Sequence, residues 1–218
     1  MTTHKAILIG GSGATGSKLV QELLSNNSFS KVTSLVRKID SSIENEKLNQ
    51  VVVDFEKMED YKQVFEGNDV AFSCLGTTRA AAGSAEAFRH IDYDFNVKFA
   101  QLAKESNIDN MHLVSSIGAN HKSWFLYTKT KGEVEETLKQ DQFPNLTIWR
   151  PGFLNRELPN DDRWLVNNFS KLIGAIKVSI VAKGMVNCAL SQLSQPKPTS
   201  PTTHIFGNKD IYRYAENK

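Results

Sequence analysis

Three glycines separate a short apolar segment from a stretch with helical spacing near the start of the sequence. The segment from Ala6 to Ile9 is uniformly apolar, and Gly10, Gly13 and Gly16 follow it at three-residue intervals. Glycines between a strand and a helix let backbone N–H groups approach a pyrophosphate, and the helix N-terminus adds partial positive charge. Glycine turns are also common between strands and helices that bind nothing. The motif therefore predicts a dinucleotide-binding turn only if the rest of the chain agrees.

The alternation of short apolar runs with helical stretches predicts the fold class. It is typical of an α/β protein with a doubly wound parallel sheet, the Rossmann fold, covered by helices on both faces. The predicted strands are 5–10, 31–36, 50–53, 69–75, 110–115 and 146–149, with a seventh at 203–206. The predicted helices are 16–25, 88–104 and 127–139, with a short helical end after residue 210.

Length and charge restrict the architecture and the partners. Residues 1–218, with 40% hydrophobic content, are expected to form a single NAD(P)-binding domain, in which residues 151–218 make a small C-terminal, substrate-facing part. The net charge is +2, and basic and acidic residues are interspersed along the chain. The sequence therefore has no basic tract of the kind that binds nucleic acid. No apolar run reaches the length of a transmembrane segment. Oligomeric state and peripheral membrane association stay open.

The cysteines and histidines indicate a reducing compartment and no metal. Cys74 and Cys188 lie in apolar surroundings without metal-ligand spacing, so we expect reduced, buried thiols. Residues 1–5 lead directly into the first predicted strand, which leaves no room for a leader sequence. These features predict a cytoplasmic protein. The five histidines are scattered without the spacing of metal ligands.

The ends of the second and third predicted strands indicate which dinucleotide is preferred. An acidic residue after the second strand usually binds the ribose hydroxyls of NAD in this fold, but Arg37 and Lys38 occupy that place here. A guanidinium fork and a second cation suit the 2′-phosphate of NADP, although a solvated basic pair explains the same residues. Asp54 ends the third strand, where its carboxylate either contacts the adenine amino group or caps a helix.

Small residues follow the fourth predicted strand, and Gly76 is the informative one among them. At this place in the fold the backbone passes close to the ribose and nicotinamide of a bound dinucleotide. An ordinary glycine between a strand and a loop would look the same.

A serine pair, a tyrosine and a lysine form the candidate catalytic group. Ser115 and Ser116 end the fifth strand, and Tyr127 and Lys131 are four residues apart on the following helix, so the latter two share one helix face. An ammonium beside a phenol favours proton transfer, and a serine hydroxyl binds the substrate oxygen. Alone, a tyrosine and a lysine at this spacing are an ordinary surface pair. The order of all four motifs in one chain is harder to obtain by chance.

With these motifs in this order, the sequence resembles the extended and atypical members of the short-chain dehydrogenase/reductase superfamily. Residues 6–166 look like the Tat-interacting oxidoreductase family, which is similar to NmrA-like and epimerase-like proteins. The segments that carry the resemblance are 29–33, 53–57, 74–79, 131–135 and 150–154.

The resemblance implies NADPH as the cofactor and hydride transfer to a small carbonyl-like substrate. It implies that Tyr127 donates the proton and Lys131 contacts the ribose, and it favours Ser116 over Ser115 for the substrate oxygen. Leu154 is implied to approach the nicotinamide. The other implied cofactor residues are Ser12, Gly13, Ala14, Thr15, Arg37, Lys38, Leu75 and Gly76.

The segment after the sixth strand departs from the family pattern. Residues 155–163 are fewer than in the family, so no cofactor-contacting arginine beyond Arg37 is assigned. Residues 164–166 are the last familiar ones, which leaves the substrate wall undefined. Trp124 and Phe125 either line a substrate pocket or pack in the core.

Two functions fit these residues. The leading interpretation is an NADPH-dependent oxidoreductase. The alternative is a regulatory NADP(H)-sensing protein that binds protein partners, because Tyr127 and Lys131 also serve cofactor binding alone. The sequence contains no His-Arg-Asp or Asp-Phe-Gly motif of a protein kinase.

Overall fold

A seven-stranded parallel sheet forms the centre of the computed structural model, which describes residues 3–156 and 175–216. The nine strands of the described chain are β1 His4–Ile9, β2 Phe29–Val36, β3 Leu48–Val52, β4 Val70–Ser73, β5 Asn110–Val114, β6 Asn145–Trp149, β7 Leu154–Asn155, β8 Ile176–Lys177 and β9 Thr202–Phe206. The sheet has the order β3-β2-β1-β4-β5-β6-β9, and β7 pairs with β8 outside it. The winding reverses between β1 and β4, so the carboxyl ends of these strands open a crevice of the kind that binds ligands.

Helices cover both faces of this sheet. They are α1 Ala14–Ser25, α2 Arg79–Ala82, α3 Ala85–Arg89, α4 Phe95–Glu105, α5 Leu126–Gln140, α6 Val178–Leu193 and α7 Asn208–Glu216. A 3₁₀ segment spans Phe55–Val64, and a π turn, His90–Asp94, joins α3 to α4. One core contains Leu23 of α1 and Met185 of α6, and the other contains Phe99 of α4 and Leu138 of α5.

The predicted doubly wound parallel sheet is confirmed, and each predicted strand lies within a few residues of its predicted bounds. The predicted helix at 88–104 differs, because the π turn interrupts it. Helix α6 had no predicted bounds, since it packs against both α1 and α7 and therefore lacks the single apolar stripe of a surface helix. No helix of the described residues is long and apolar enough to span a bilayer. Residues 164–166 lie outside the described part.

Candidate cofactor and active site

The glycine turn joins β1 to α1 at the crevice. Gly10 has φ of +77°, and a Cβ there would lie 2.5 Å from the backbone carbon of Cys74. A Cβ on Gly16 would lie 2.0 Å from the carbonyl oxygen of Gly10. These two glycines are therefore required by the path of the chain itself. Gly13 donates its N–H to the Gly10 carbonyl at 2.9 Å, precedes α1 and, unlike Gly10 and Gly16, lines the crevice.

A cavity of about 450 Å³ lies at this crevice, and we call it the central cavity. The N-terminus of α1, the loop after β4 and helix α5 form its walls. It brings together predicted residues that are distant in the sequence, namely Gly13, Ala14, Thr15, Leu75, Gly76, Ser115, Tyr127, Lys131 and Leu154.

The residues predicted to select the cofactor lie around the ends of β2 and β3. Arg37 lines a cavity of about 280 Å³ together with the rings of Phe55 and Phe95. Ser12 and Lys38 line a smaller crevice. The side chain of Asp54 accepts the N–H of Glu56 at 3.0 Å and caps the 3₁₀ segment, which confirms the capping interpretation, while its adenine contact stays a prediction.

The two predicted serines have different surroundings. Ser115 is 5% exposed and donates its hydroxyl to the carboxylate of Glu135 at 2.5 Å. Glu135 is buried and accepts two N–H groups of Arg150, one of them from Nε at 2.9 Å. Ser116 is half-buried, and its hydroxyl donates to the carbonyl of Ile117 at 2.9 Å. Which serine binds the substrate oxygen stays a prediction.

A second cavity, of about 480 Å³, adjoins the central cavity, and we call it the outer cavity. Ser115, Tyr127, Leu154 and Arg156 line both cavities. Tyr127 is 44% exposed, and its ring centre lies 6.0 Å from that of Phe88. Tyr127 therefore lies on the wall that the two cavities share.

The structure adds two residues to the predicted site and corrects the expected packing of two aromatic residues. Asp92, in the π turn, is fully buried and pairs with Lys131. Arg156 lines both cavities, although no cofactor-contacting arginine after Arg37 is predicted from the sequence. The feature of the sequence that could have indicated it is its position two residues after Leu154. The interpretation that Trp124 and Phe125 pack in the core is wrong, because these side chains are 99% and 78% exposed.

The thiols are free, as predicted from their surroundings. Cys188 is buried as expected, whereas Cys74 is only half-buried, because it lies on the wall of the central cavity. Burial raises the pKa of each thiol to about 12, so both are protonated and unreactive at neutral pH. In residues 3–156 and 175–216, no three His, Cys, Asp or Glu side chains form a group that could hold a metal ion.

Comparison with known proteins adds the family. The sequence model of a family described as NAD(P)H-binding matches residues 10–192. This chain belongs to the NAD(P)H-binding family. It is 38% identical over 229 residues to Protein HTATIP2 of Rattus norvegicus, covering 100% of this chain and 91% of the relative. It is 36% identical over 176 residues to the protein named FMP52-1, mitochondrial, of Scheffersomyces stipitis, covering 79% and 75%.

Solved structures share the fold of this NAD(P)H-binding chain. The oxidoreductase ylbE from Lactococcus lactis matches with a TM-score of 0.69 and 16% identity, over 98% of this chain and 97% of that one. The UDP-glucuronic acid 4-epimerase from Bacillus cereus, in complex with NAD, matches with a TM-score of 0.69 and 14% identity, over 98% and 92%. At these identities the likeness shows the Rossmann fold and no more.

The cavities fit the dinucleotide that an NAD(P)H-binding chain requires. The central cavity shares Leu75, Gly76 and Thr77 with the cavity beside Arg37, so the two adjoin at the loop after β4, and together we call them the groove. A Cβ on Gly76 would project into this groove, 3.2 Å from Lys131 Nζ. Glycine at this position therefore leaves room for a ligand that passes close to the backbone.

Proposed function

We propose that this protein is an NADPH-dependent oxidoreductase of the atypical short-chain dehydrogenase/reductase type, which transfers a hydride to a carbonyl-like small molecule. The position of Tyr127 on the wall shared by the central and outer cavities carries this proposal. A proton donor for the product oxygen must reach both cofactor and substrate. In this scheme residues 1–218 form one domain and residues 151–218 face the substrate; within the latter, residues 151–154 and Arg156 line the outer cavity.

In the proposed reaction each side chain has one task. Tyr127 donates its phenolic proton to the carbonyl oxygen, and Lys131, one helical turn later, holds the ribose. NADPH, when bound, supplies the hydride. The Ser115 hydroxyl is already engaged in a hydrogen bond to Glu135, which supports Ser116 as the group that binds the substrate oxygen. For this the Ser116 hydroxyl rotates away from its local hydrogen bond to the Ile117 carbonyl.

The preference for NADPH over NADH is tested by binding. Arg37 lies beside two aromatic rings that suit an adenine base, so its guanidinium is well placed for the adjacent 2′-phosphate. Titration by nucleotide fluorescence is expected to show that Arg37→Ala weakens NADPH about tenfold or more and leaves NADH unchanged. An equal loss for both nucleotides would argue against the assigned preference.

The reaction is tested with a panel of aldehydes, ketones and quinones. Tyr127→Phe keeps the ring beside Phe88 but removes the proton, so kcat is expected to fall about a hundredfold or more while NADPH affinity is retained. The enzyme proposal fails if wild-type protein that binds NADPH reduces no compound of the panel.

A sensing protein is the second candidate, and the exposed aromatic residues at the start of α5 favour it. Trp124 and Phe125 directly precede the helix that carries Tyr127, and both face solvent. Large exposed apolar side chains often mark a contact with a partner. If this function is correct, Trp124→Ala abolishes partner binding without changing turnover or NADPH affinity.

We propose the cytoplasm as the compartment, because both thiols are free. Several fungal relatives are named mitochondrial, so fractionation of cells that express this protein decides the point. Recovery with mitochondrial markers would overturn the proposal.

A further inference from the structure

An ion pair is buried in the wall of the central cavity. Lys131 Nζ lies 2.8 Å from Asp92 Oδ1, and the two side chains are 7% and 0% exposed. Both residues line the cavity with Tyr127. Removing two charges from water is costly, and apolar residues of similar volume usually stabilise a protein at least as well. A buried pair at a ligand cavity therefore points to a role in binding rather than in folding.

The carboxylate of Asp92 is fixed by more than its lysine partner. Asp92 Oδ2 accepts the N–H of Thr77 at 2.7 Å, from the loop after β4. The side-chain amide of Asn96 donates to the Asp92 carbonyl at 2.9 Å and accepts the hydroxyl of Ser73 at the end of β4. The sheet edge and the helix thus set the position of Asp92, and Lys131 is held by a group that is itself immobile.

The π turn places Asp92 where it meets α5. Residues Phe88, Asp92 and Asn96, four apart through this turn, all lie on the buried side of the helix. Single π turns within α-helices occur often at functional sites. The turn presents a carboxylate to the cavity from the same side of the helix that buries Phe88 and the amide of Asn96.

We propose that Asp92 is a positioning residue, which holds the Lys131 ammonium beside Gly76 so that it meets the ribose next to the nicotinamide. A Cβ on Gly76 would lie 3.2 Å from Lys131 Nζ and 3.3 Å from Asp92 Oδ1, so the glycine leaves the pair open to the cavity. A free lysine side chain loses much rotational freedom when it binds a ligand, and Asp92 removes that freedom in advance. This inference rests on the proposed cofactor binding and does not depend on the substrate.

The test separates the nicotinamide half of the groove from the adenine half. Wild type, Asp92→Asn and Asp94→Asn are titrated with NADPH and with adenosine 2′,5′-bisphosphate, which lacks the nicotinamide ribose. Asp94 is a matched control because it lies in the same turn but is 49% exposed and pairs with His90. We expect Asp92→Asn to weaken NADPH about tenfold or more and to leave the bisphosphate within about twofold. Asp94→Asn changes neither.

A double-mutant cycle shows whether Asp92 acts through Lys131. Lys131→Met alone is expected to weaken NADPH binding, and adding Asp92→Asn to this variant is expected to cause no further loss of affinity. Thermal unfolding checks that each variant folds. Should Asp92→Asn not fold, Asp92→Ser takes its place, because serine is smaller and still offers an oxygen to the Thr77 N–H.

The outcomes are distinguishable from those of the proposed function. If wild type binds NADPH and Asp92→Asn binds it equally well, this inference alone is overturned. It is also overturned if Asp92→Asn weakens the binding of both ligands equally, or if it causes the same loss of NADPH affinity in the Lys131→Met background. If wild type binds no nicotinamide nucleotide, the proposed function falls with it. If wild type prefers NADH, the same titrations use NADH and AMP, and only the preference is wrong.

Discussion

At the scale of single residues, backbone clearance assigns different tasks to the three glycines of the turn. A Cβ on Gly16 meets a backbone oxygen at 2.0 Å, whereas a Cβ on Gly13 meets its nearest neighbour at 3.2 Å. Both neighbours are the carbonyl oxygen of Gly10; at 2.0 Å the added carbon would overlap it, whereas at 3.2 Å a shift of a few tenths of an ångström is enough. Gly16 is therefore required by the fold, whereas Gly13 is less restricted and lies on the wall of the central cavity.

Alanine at these two positions separates folding from binding. Gly16→Ala is expected to destabilise the protein by about 3 kcal/mol or more, because the helix must move away from the turn. Gly13→Ala is expected to fold with little loss of stability, since only a small shift is needed, but to weaken NADPH because its methyl group enters the crevice. Urea unfolding and NADPH titration of both variants check this. A Gly16→Ala protein as stable as wild type would contradict it.

Residues with a local sequence signature were predictable, and residues defined by distant contacts were not. Gly13, Tyr127 and Lys131 follow from spacing along one strand, turn or helix. Asp92 has no such signature, because its importance comes from Lys131 and Thr77, which other segments supply. The hydrogen bond from Ser115 to Glu135 was likewise not predictable, because it joins the end of a strand to a helix residue that lies 20 residues later in the chain.

At the scale of elements, helix α5 is anchored to the sheet by the turn after its functional residues. Glu135 follows Lys131 by one turn, is fully buried and pairs with Arg150, which follows β6 directly. The same carboxylate accepts the hydroxyl of Ser115 after β5. One buried charge thus fixes the helix against two strand ends, and the position of Tyr127 depends on it.

Removal of that charge tests the anchor. Glu135→Gln is expected to destabilise the protein by about 3 kcal/mol, because the part-buried Arg150 then loses the buried carboxylate that it is hydrogen-bonded to. Glu136→Gln, at the neighbouring half-exposed position, removes surface pairs with Lys139 and His121 and is expected to cost under about 1 kcal/mol. Urea unfolding measures both. Equal effects would show that the helix needs no buried anchor.

Regular elements were predictable, whereas irregular ones were not. The strands could be predicted because apolar runs alternate with polar turns at intervals that suit a covered parallel sheet. The π turn has no local signal, since His90–Asp94 reads as ordinary helix and the extra residue is accommodated only by contacts with β4 and α5.

At the scale of the whole molecule, a neutral histidine lies in the middle of the sheet. His112 of β5 is fully buried, stacks between Phe72 and Trp149, and accepts the indole N–H of Trp149 at 3.1 Å. Burial lowers its pKa to about 3. The neighbouring strands β4, β5 and β6 thus share a group that must stay uncharged for the sheet to remain packed.

Stability is expected to fall on acidification for this reason. Below pH 6.5 the unfolded chain protonates this histidine while the folded protein does not until about pH 3, so stability is lost as the pH falls through that window. Between pH 7 and pH 5 the loss is about 2 kcal/mol. His112→Phe is less stable overall, since the Trp149 N–H loses its acceptor, but its urea unfolding is expected to vary less with pH. An unchanged pH dependence in this variant would contradict the assignment.

The position of β9 has a consequence for the order in which the chain is made. Thr202–Phe206 pairs with β6, and Phe206 and Tyr214 pack edge-on against Trp149. Synthesis proceeds from the N-terminus, so β1 to β6 and the glycine turn exist while residues 202–216 are still to be added. During that interval β6 is an open edge and the indole lacks its aromatic cover, which is the state most exposed to mispairing. The glycine turn and the strands on either side of the crevice therefore precede β9 in synthesis, and the edge at β6 is the last part of the sheet to close.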